Sequence, residues 1–484
     1  MGVVLSQSFK NTIWTYVGFA IGAVNTLFLY TNFVSPEYYG LVTFVLSTAY
    51  VMMPLMAFGV HNTIIKYYSS YKTKDSLNSF LTLMLVLPLV IIIPTALIGY
   101  AAYDYLGDLL SQKNSIVKGY IWHIFVVAIA LAYFEIFYAW SKVKMQTVFG
   151  NFMKEVFHRA GVMILLFCVY KLWITIEEFI LGLVAVYVLR TMVMKLYAYS
   201  IHLPTLRFKR IPNLKAVLNY SFLIIIAGSI AVLLLDIDKF MLGEYIEIEN
   251  VAYYGVAIYI ASVIGVPARS MYQITNPITA ELLNTHRLDE LRNLYKKSSL
   301  NLFIVSGLIF LLIILNINEL YKIIPQEFSG GLFVVFLIGL VKLYDNLLGN
   351  NNSILFNSDY YRIVLVLGVI LAILTVVLNM VFIPIYGING AAFATFLAVV
   401  LYNTAKLTFV SYKFKMLPFS SATAKTFVLI LILIAAFYFW EFSFHPLINI
   451  ALKSIIVSLL YLAMVYVFEL SDDISRMMKK YLRI

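Results

Sequence analysis

Apolar segments of roughly twenty residues alternate with short polar stretches along the chain. With about 30 Å of hydrocarbon to cross at 1.5 Å per residue, each such segment reads as one membrane-spanning helix. The segments lie at residues 11–33, 38–60, 79–102, 118–140, 151–171, 178–199 and 217–236, then 251–271, 298–317, 331–355, 361–384, 389–411, 423–441 and 446–468. Pro54, Pro88, Pro94 and Pro267 fall inside or at the ends of these segments, where membrane helices tolerate proline because neighbouring helices re-satisfy the freed backbone groups. The pattern predicts an all-α membrane protein of about 14 transmembrane helices.

One interruption stands apart in charge. His202–Lys215, HLPTLRFKRIPNLK, carries Arg207, Lys209, Arg210 and Lys215 together with Pro204 and Pro212. Each proline lacks a donor and restricts the residue before it, and each cation would cost about 2.5–3.5 kcal/mol at the centre of a membrane helix. The stretch is expected to be a cytosolic strap. On either side of it the halves look alike: Tyr38-Tyr39-Gly40 opens the second segment with Pro54 fourteen residues past the glycine, and Tyr253-Tyr254-Gly255 opens the eighth with Pro267 twelve past. The second copy follows by six spans, so a parallel repeat of two six-helix lobes plus two C-terminal helices is expected. The implied boundaries are an N-terminal lobe at 1–201, a linker at 202–215, a C-terminal lobe at 216–412, and the last two helices with a basic tail at 413–484.

Composition supports the pattern, with 62% of residues hydrophobic and 12% charged, against about 25% charged in soluble domains. A net charge of +11 would suggest nucleic acid in a soluble chain. Here all but six of the 35 lysines and arginines fall on alternate loops and adjoining helix ends, the six being Lys113, Lys118, Lys171, Lys239, Lys322 and Lys453. That asymmetry predicts both termini in the cytosol, no nucleic-acid partner, and a basic tail, Arg476–Arg483, resting on anionic headgroups. Outer acids, including Asp236, Asp238, Glu244, Glu247 and Glu249, read as solvated rims.

The single cysteine, Cys168, lies in an apolar run, which excludes disulfide frameworks and cysteine metal clusters and leaves a packing role. Met1-Gly2-Val3-Val4-Leu5-Ser6 fits the myristoylation pattern, but the following apolar run already commits the chain to the membrane. That run is too long for a signal-peptide core and is expected to be retained. Neither a zinc-protease His-Glu-x-x-His run nor a nucleotide-binding Gly-x-x-x-x-Gly-Lys-Ser/Thr loop is present. The expectation is a non-enzyme without metal or cofactor.

Several local motifs give the chain a resemblance to the Wzx-type polysaccharide flippases of the multidrug/oligosaccharidyl-lipid/polysaccharide exporter superfamily. They are Gln7-Ser8-Phe9-Lys10-Asn11-Thr12, Tyr39-Gly40, Gly59-Val60-His61-Asn62 with Lys66, Asp238-Lys239-Phe240-Met241-Leu242-Gly243 before Tyr254-Gly255, Asn276-Pro277, and Asn379 with Ile383-Pro384-Ile385-Tyr386-Gly387-Ile388-Asn389-Gly390-Ala391-Ala392. The last is the most specific. The resemblance implies two lobes around a central cavity in the bacterial inner membrane, exporting an undecaprenyl-diphosphate-linked oligosaccharide for lipopolysaccharide, capsule or exopolysaccharide by alternating access. It also implies membrane lipids, H+ or Na+ as coupling candidates, and polymerase and glycosyltransferase partners. Lys66 stands where many relatives have arginine, and a lysine holds phosphate as a point charge rather than through a bidentate fork.

Charges deep in apolar segments usually face a cavity or one another. Lys342 lies eleven residues past Gly331, about 17 Å along the helix, with Asp345 at i+3 and Asn346 at i+4 on the same face. These three are candidate substrate contacts, and a Lys342–Asp345 pair sealing helix packing is the competing reading. Asn350, Asn351 and Asn352 read as a wet helix end. Arg190, about 18 Å past Glu178, is a candidate pyrophosphate contact or a snorkelling arginine. Lys66 and Arg269 end matching helices, as headgroup captors or plain positive-inside anchors. Glu135 is the one acid deep in its helix, suited to neutralising one of these cations or carrying a proton. Tyr16, Tyr133, Tyr138, Tyr259 and Tyr344 offer sugar-stacking surfaces or simple packing. The rival readings are a cation-coupled multidrug antiporter, which wants an acidic cavity, and a polytopic polysaccharide polymerase, which wants a substantial catalytic segment outside the membrane.

Overall fold

The computed structural model describes the backbone of residues 2–207, 209 and 211–482 and their side chains, except those of 2–6, 8, 9, 226–235, 273, 361, 477 and 480–482. Met1, Arg210 and Arg483 therefore lie outside the described backbone, and Gly2–Ser6, Ser8, Phe9 and Lys480 outside the described side chains. Every described element is helical. The chain divides into two compact units, Met1–Ala252 and Tyr253–Ile484.

The first unit contains α1 (Lys10–Phe33), α2 (Pro36–Met56), α3 (Val60–Tyr67), α4 (Lys74–Ala101), α5 (Tyr103–Leu110), α6 (Ile121–Lys142), α7 (His158–Tyr170), α8 (Ile176–Ile201) and α9 (Leu214–Tyr245). Local chemistry sets these ends. Ser35 caps α2 with Pro36 in its first turn, Thr73 caps α4, and Thr175 with Glu178 forms a capping box on α8. Between α2 and α3 the backbone turns through Phe58 and Gly59, both at positive φ. Gly59 is needed twice over: its φ of 64° suits glycine, and a Cβ there would strike the Ser221 carbonyl of α9. Thr63 Oγ1 meets Ser221 Oγ at 2.7 Å beside it. The core of the unit gathers Phe80, Phe134, Trp140 and Met194, all buried, where α6 packs on α2, α3 and α8.

The strap between α8 and α9 lies against the start of α4. Asp75 takes Arg207 and Lys209 (2.7 Å), Thr82 Oγ1 accepts the Arg207 amide at 3.1 Å, and Asn78 donates to Thr205. His202, at the mouth of the strap, sits 3.3 Å from Asn78 Oδ1. Burial, with Lys144 and Lys74 nearby, holds its imidazole below the usual range.

A second stitch closes the other end of the unit. Buried Asn114 donates to the carbonyls of Gly243 (2.6 Å) and Ile246 (2.9 Å) and accepts from the Ile248 amide (2.9 Å). Leaving such groups unpaired costs about 1–3 kcal/mol each. Asn114→Ala is therefore expected to destabilise the protein by about 3 kcal/mol, read as a lowered thermal midpoint in detergent. An unchanged midpoint would mean that water replaces all three bonds. Asp238, read from sequence as a solvated rim acid, is buried in this region.

The second unit contains α10 (Glu249–Ser262), whose first residues fall in the first unit, then α11 (Val266–Asn284), α12 (Leu288–Ile323), α13 (Leu332–Leu347), α14 (Asn351–Phe356), α15 (Tyr361–Phe414), α16 (Ser421–Phe437), α17 (Pro446–Val467) and α18 (Asp472–Leu482). As in α2, the helix opening on Tyr-Tyr-Gly breaks near its proline, here through a tight turn at Val263–Gly265. In such a turn the Ile264 carbonyl would bond the amide three residues on, which Pro267 lacks. Asn346 Nδ2 supplies the missing donor at 2.7 Å. The most specific motif of the sequence resemblance is also a backbone device. Gly387 (φ 58°, ψ −132°) breaks α15, and a Cβ on Gly390 would strike the Phe382 carbonyl, so only glycines pass this turn.

Among the described residues ten helices are long and apolar enough to span a membrane. The other expected segments take different forms: residues 361–384 and 389–411 are joined across the Gly387 break, 423–441 becomes the shorter Ser421–Phe437, 217–236 lies in α9, and 151–171 carries a π-turn at Met153–Phe157 before α7.

Candidate functional site

In the first unit, Arg190 on α8 is 2% exposed. Thr191 beside it donates to the Ala130 carbonyl at 2.7 Å, which draws α8 onto α6. The guanidinium lies over the rings of Phe134 (4.2 Å) and Tyr187 (4.9 Å), and buried Nε has no hydrogen-bond partner. Among the described residues no carboxylate lies within ion-pair distance of it. The snorkelling alternative is thereby corrected, because this side chain does not reach the surface. Aromatic faces return about 2 kcal/mol to a desolvated cation, whereas a buried ion costs several kcal/mol.

Glu135, one residue from Phe134, accepts from Lys154 Nζ at 2.5 Å. Its partner is thus none of the cations singled out from sequence. Lys142 Nζ lies 3.9 Å from the Tyr138 ring, and Glu155 takes Arg159 at 3.1 Å. Lys66 stands exposed at the end of α3 with Nζ 3.8 Å from the Tyr220 ring. Arg190 thus lies against Phe134 of α6 and Glu135 of α6 against Lys154, whereas Lys66 ends a neighbouring helix. An apolar cavity in this unit, about 320 Å³ near Thr95, Gly99 and Trp122, is lined by no ionisable group among the described residues and does not suit an anion.

In the second unit the polar cluster is built from α13, α14 and α15. Asn403 donates to Asp345 at 2.5 Å, Lys406 donates to Asn352 Oδ1 at 2.9 Å, and Lys406 lies 4.2 Å over the Tyr402 ring. Tyr344 and Thr404 join their hydroxyls at 3.0 Å. Lys342 is half-buried beside Gly265 and makes no ion pair with Asp345. The expected Lys342–Asp345 seal is thus replaced by an Asp345–Asn403 bond. α13 ends at Leu347, so Lys342 stands close to a helix break at Gly349 (φ 51°). Asn346 donates to the Ile264 carbonyl and keeps a buried Oδ1 without a hydrogen-bond partner, and Arg269 is exposed on α11, apart from these bonds.

Three readings change here. Asn350 and Asn351 are not a wet helix end: both are buried, bonded to Thr279 and to Tyr295 Oη (2.7 Å). Lys406, in the sequence only one of the many cations on the cytosolic-side loops and helix ends, is 3% exposed and is the most enclosed cation of this cluster. Lys453, assigned to the outer loops, is also buried, donating to the Leu315 carbonyl at 2.9 Å.

A family model described as "Polysaccharide biosynthesis protein" matches residues 8–283. No curated protein matches the chain significantly. Among solved structures, the lipid II flippase MurJ in an inward closed conformation is similar with a TM-score of 0.68 at 14% identity, covering 95% of this chain and 99% of that one. An inward-facing multidrug resistance MATE family transporter of the MOP superfamily gives 0.59 at 13% identity, covering 88% and 96%. The MATE multidrug transporter DinF-BH gives 0.54 at 17%, covering 85% and 95%. At these identities the likeness is one of fold.

Proposed function

We propose a flippase for a lipid-linked oligosaccharide, on the premise that this chain belongs to the polysaccharide biosynthesis protein family. The carrying observation is made in each unit by itself: Arg190 in the first and Lys406 in the second are each almost wholly buried and, among the described residues, neither is within ion-pair distance of a carboxylate. A buried positive charge with no carboxylate in direct contact is costly in a helix bundle and is a functional site by default. A sugar diphosphate supplies the missing negative charge, and its polyprenyl tail stays in hydrocarbon while the head crosses. Undecaprenyl diphosphate is the lipid we assign, moved from the cytosolic to the outer leaflet of the inner membrane by alternating access, with both termini cytosolic. Lys342, half-buried near the α13 break, is the third cation of this reading.

The similar solved structures include a lipid II flippase and multidrug transporters, so the rival is drug export. Cationic drugs want a free acid at depth. Glu135 is held by Lys154 and Asp345 by Asn403, which favours the anionic cargo.

Deletion of the chain is expected to abolish surface polysaccharide and leave drug susceptibility unchanged. Lys342→Ala and Lys406→Ala are each expected to lower export roughly tenfold, the worth of one charge-assisted bond to phosphate, at unchanged protein abundance. Normal polysaccharide with altered drug susceptibility on deletion would overturn the assignment in favour of the antiporter.

A further inference from the structure

A second basic site lies in the second unit, further along α15 than Lys406 and lined by neither Lys342 nor Lys406. Arg292 and Lys296, one turn apart near the start of α12, face Thr408, Ser411, Tyr412 and Lys415 across a cavity of about 840 Å³. The spacing of the latter four is i, i+3, i+4 and i+7, so two hydroxyls, a phenol and an ammonium share one face of the last two turns of α15. Lys415 ends that helix in the left-handed conformation (φ 55°), where the chain turns towards Leu417 and Phe419. Among the described residues no carboxylate lines the cavity. The one ion pair described at its edge joins Arg292 to Asp289 at 3.1 Å, and the Asp289 side chain is 96% exposed, a weak pair that leaves most of the guanidinium donors free.

Three features define the occupant. Three cations with two hydroxyls match a phosphate diester and its glycerol oxygens. The volume falls within the range of sites that take a whole small molecule rather than a single ion. Leu407, half-buried, Leu417, exposed, and Phe419 give the same cavity an apolar wall at the end of a membrane-spanning helix, which suits the beginning of acyl chains and not a freely soluble anion.

We propose that this cavity binds the headgroup of an anionic phospholipid, of the phosphatidylglycerol type, as a site separate from the transport cations. On the orientation proposed above it faces the cytosolic leaflet; the headgroup chemistry itself does not depend on the flippase reading.

The test is native mass spectrometry of the full chain in detergent, titrated with phosphatidylglycerol. Wild-type protein is expected to retain one lipid preferentially. The triple variant Arg292→Gln, Lys296→Gln, Lys415→Gln is expected to lose on the order of 100-fold in apparent affinity, about fivefold per cation. Lys72→Gln, Lys74→Gln, Lys195→Gln removes the same charge from exposed positions of the first unit and is expected to keep the lipid. Thr408→Glu places a carboxylate on an exposed cavity position and is expected to repel the headgroup with one change. Equal loss in both triples, or retention in the cavity triple, would overturn the proposal. So would displacement of the lipid by millimolar inorganic phosphate, which would assign the cavity to a soluble anion. Surface polysaccharide export reports on the other cation sites, so failure of either reading leaves the other measurable.

Discussion

Arg190→Met is expected to keep or raise thermal stability while lowering export of the lipid-linked oligosaccharide roughly 10- to 100-fold, the worth of a charged hydrogen bond to phosphate. These two directions rarely go together, and the reason lies in what surrounds the side chain. Arg190 is buried among α6 and α8 over Phe134 and Tyr187, with Nε unpartnered and no described acid in reach. Methionine fills similar volume, keeps contact with both rings and removes the desolvated charge, a class of exchange that is neutral or stabilising by about 1–4 kcal/mol. A guanidinium held for packing would behave in the opposite way: its loss would lower the thermal midpoint and reduce protein abundance, and export would fall only in proportion. Arg190→Lys adds a finer test. It keeps the charge but loses the planar fork, so export is expected to fall between wild type and Arg190→Met. The measurements are surface polysaccharide normalised to membrane-inserted protein and thermal unfolding in detergent. A destabilised Arg190→Met variant with normal export per molecule would remove this residue from the substrate path.

The difference between Arg190 and Lys406 shows what a sequence can and cannot reveal in such a chain. Arg190 was legible because it stands far from either end of an apolar segment, where only burial or a cavity can explain a charge. Lys406 sits near the end of its segment, so positive-inside anchoring accounts for it equally well from sequence. What encloses it is Asn352 and Tyr402, and Asn352 comes from a helix more than fifty residues away. The three asparagines after Gly349 misled for the same reason. Alone they read as polar punctuation, but Thr279 and Tyr295, from α11 and α12, turn Asn350 and Asn351 into bonds between helices. Spacing also failed for Lys342 and Asp345. Sharing a helix face makes a pair geometrically available, but Asn403 on α15 competes for the carboxylate and wins. The repeated helix starts and the glycine-rich turn of α15 were readable because their cause is local: backbone conformation at Gly387 and the donor missing at Pro267 are written in adjacent residues.

Lys154→Ala is expected to damage the protein more than Glu135→Ala, although the two residues form one ion pair. The carboxylate is the more enclosed partner, with 15% of its side chain exposed against 43% for the lysine, at an N to O distance of 2.5 Å. Removing the lysine strands a buried negative charge, at a cost of about 3 kcal/mol. Removing the carboxylate strands the less enclosed of the two charges, and the loss is expected to be about 1 kcal/mol after allowing for screening. The double variant Glu135→Leu, Lys154→Met removes both charges and keeps apolar volume, so its stability is expected to return close to wild type. Export then separates a latch from a part in transport. If the pair only holds α6 against the chain that enters α7, the double variant exports normally once it is stable. Restored stability with export still absent would sink the latch and assign the pair itself, rather than helix packing, to the transport step.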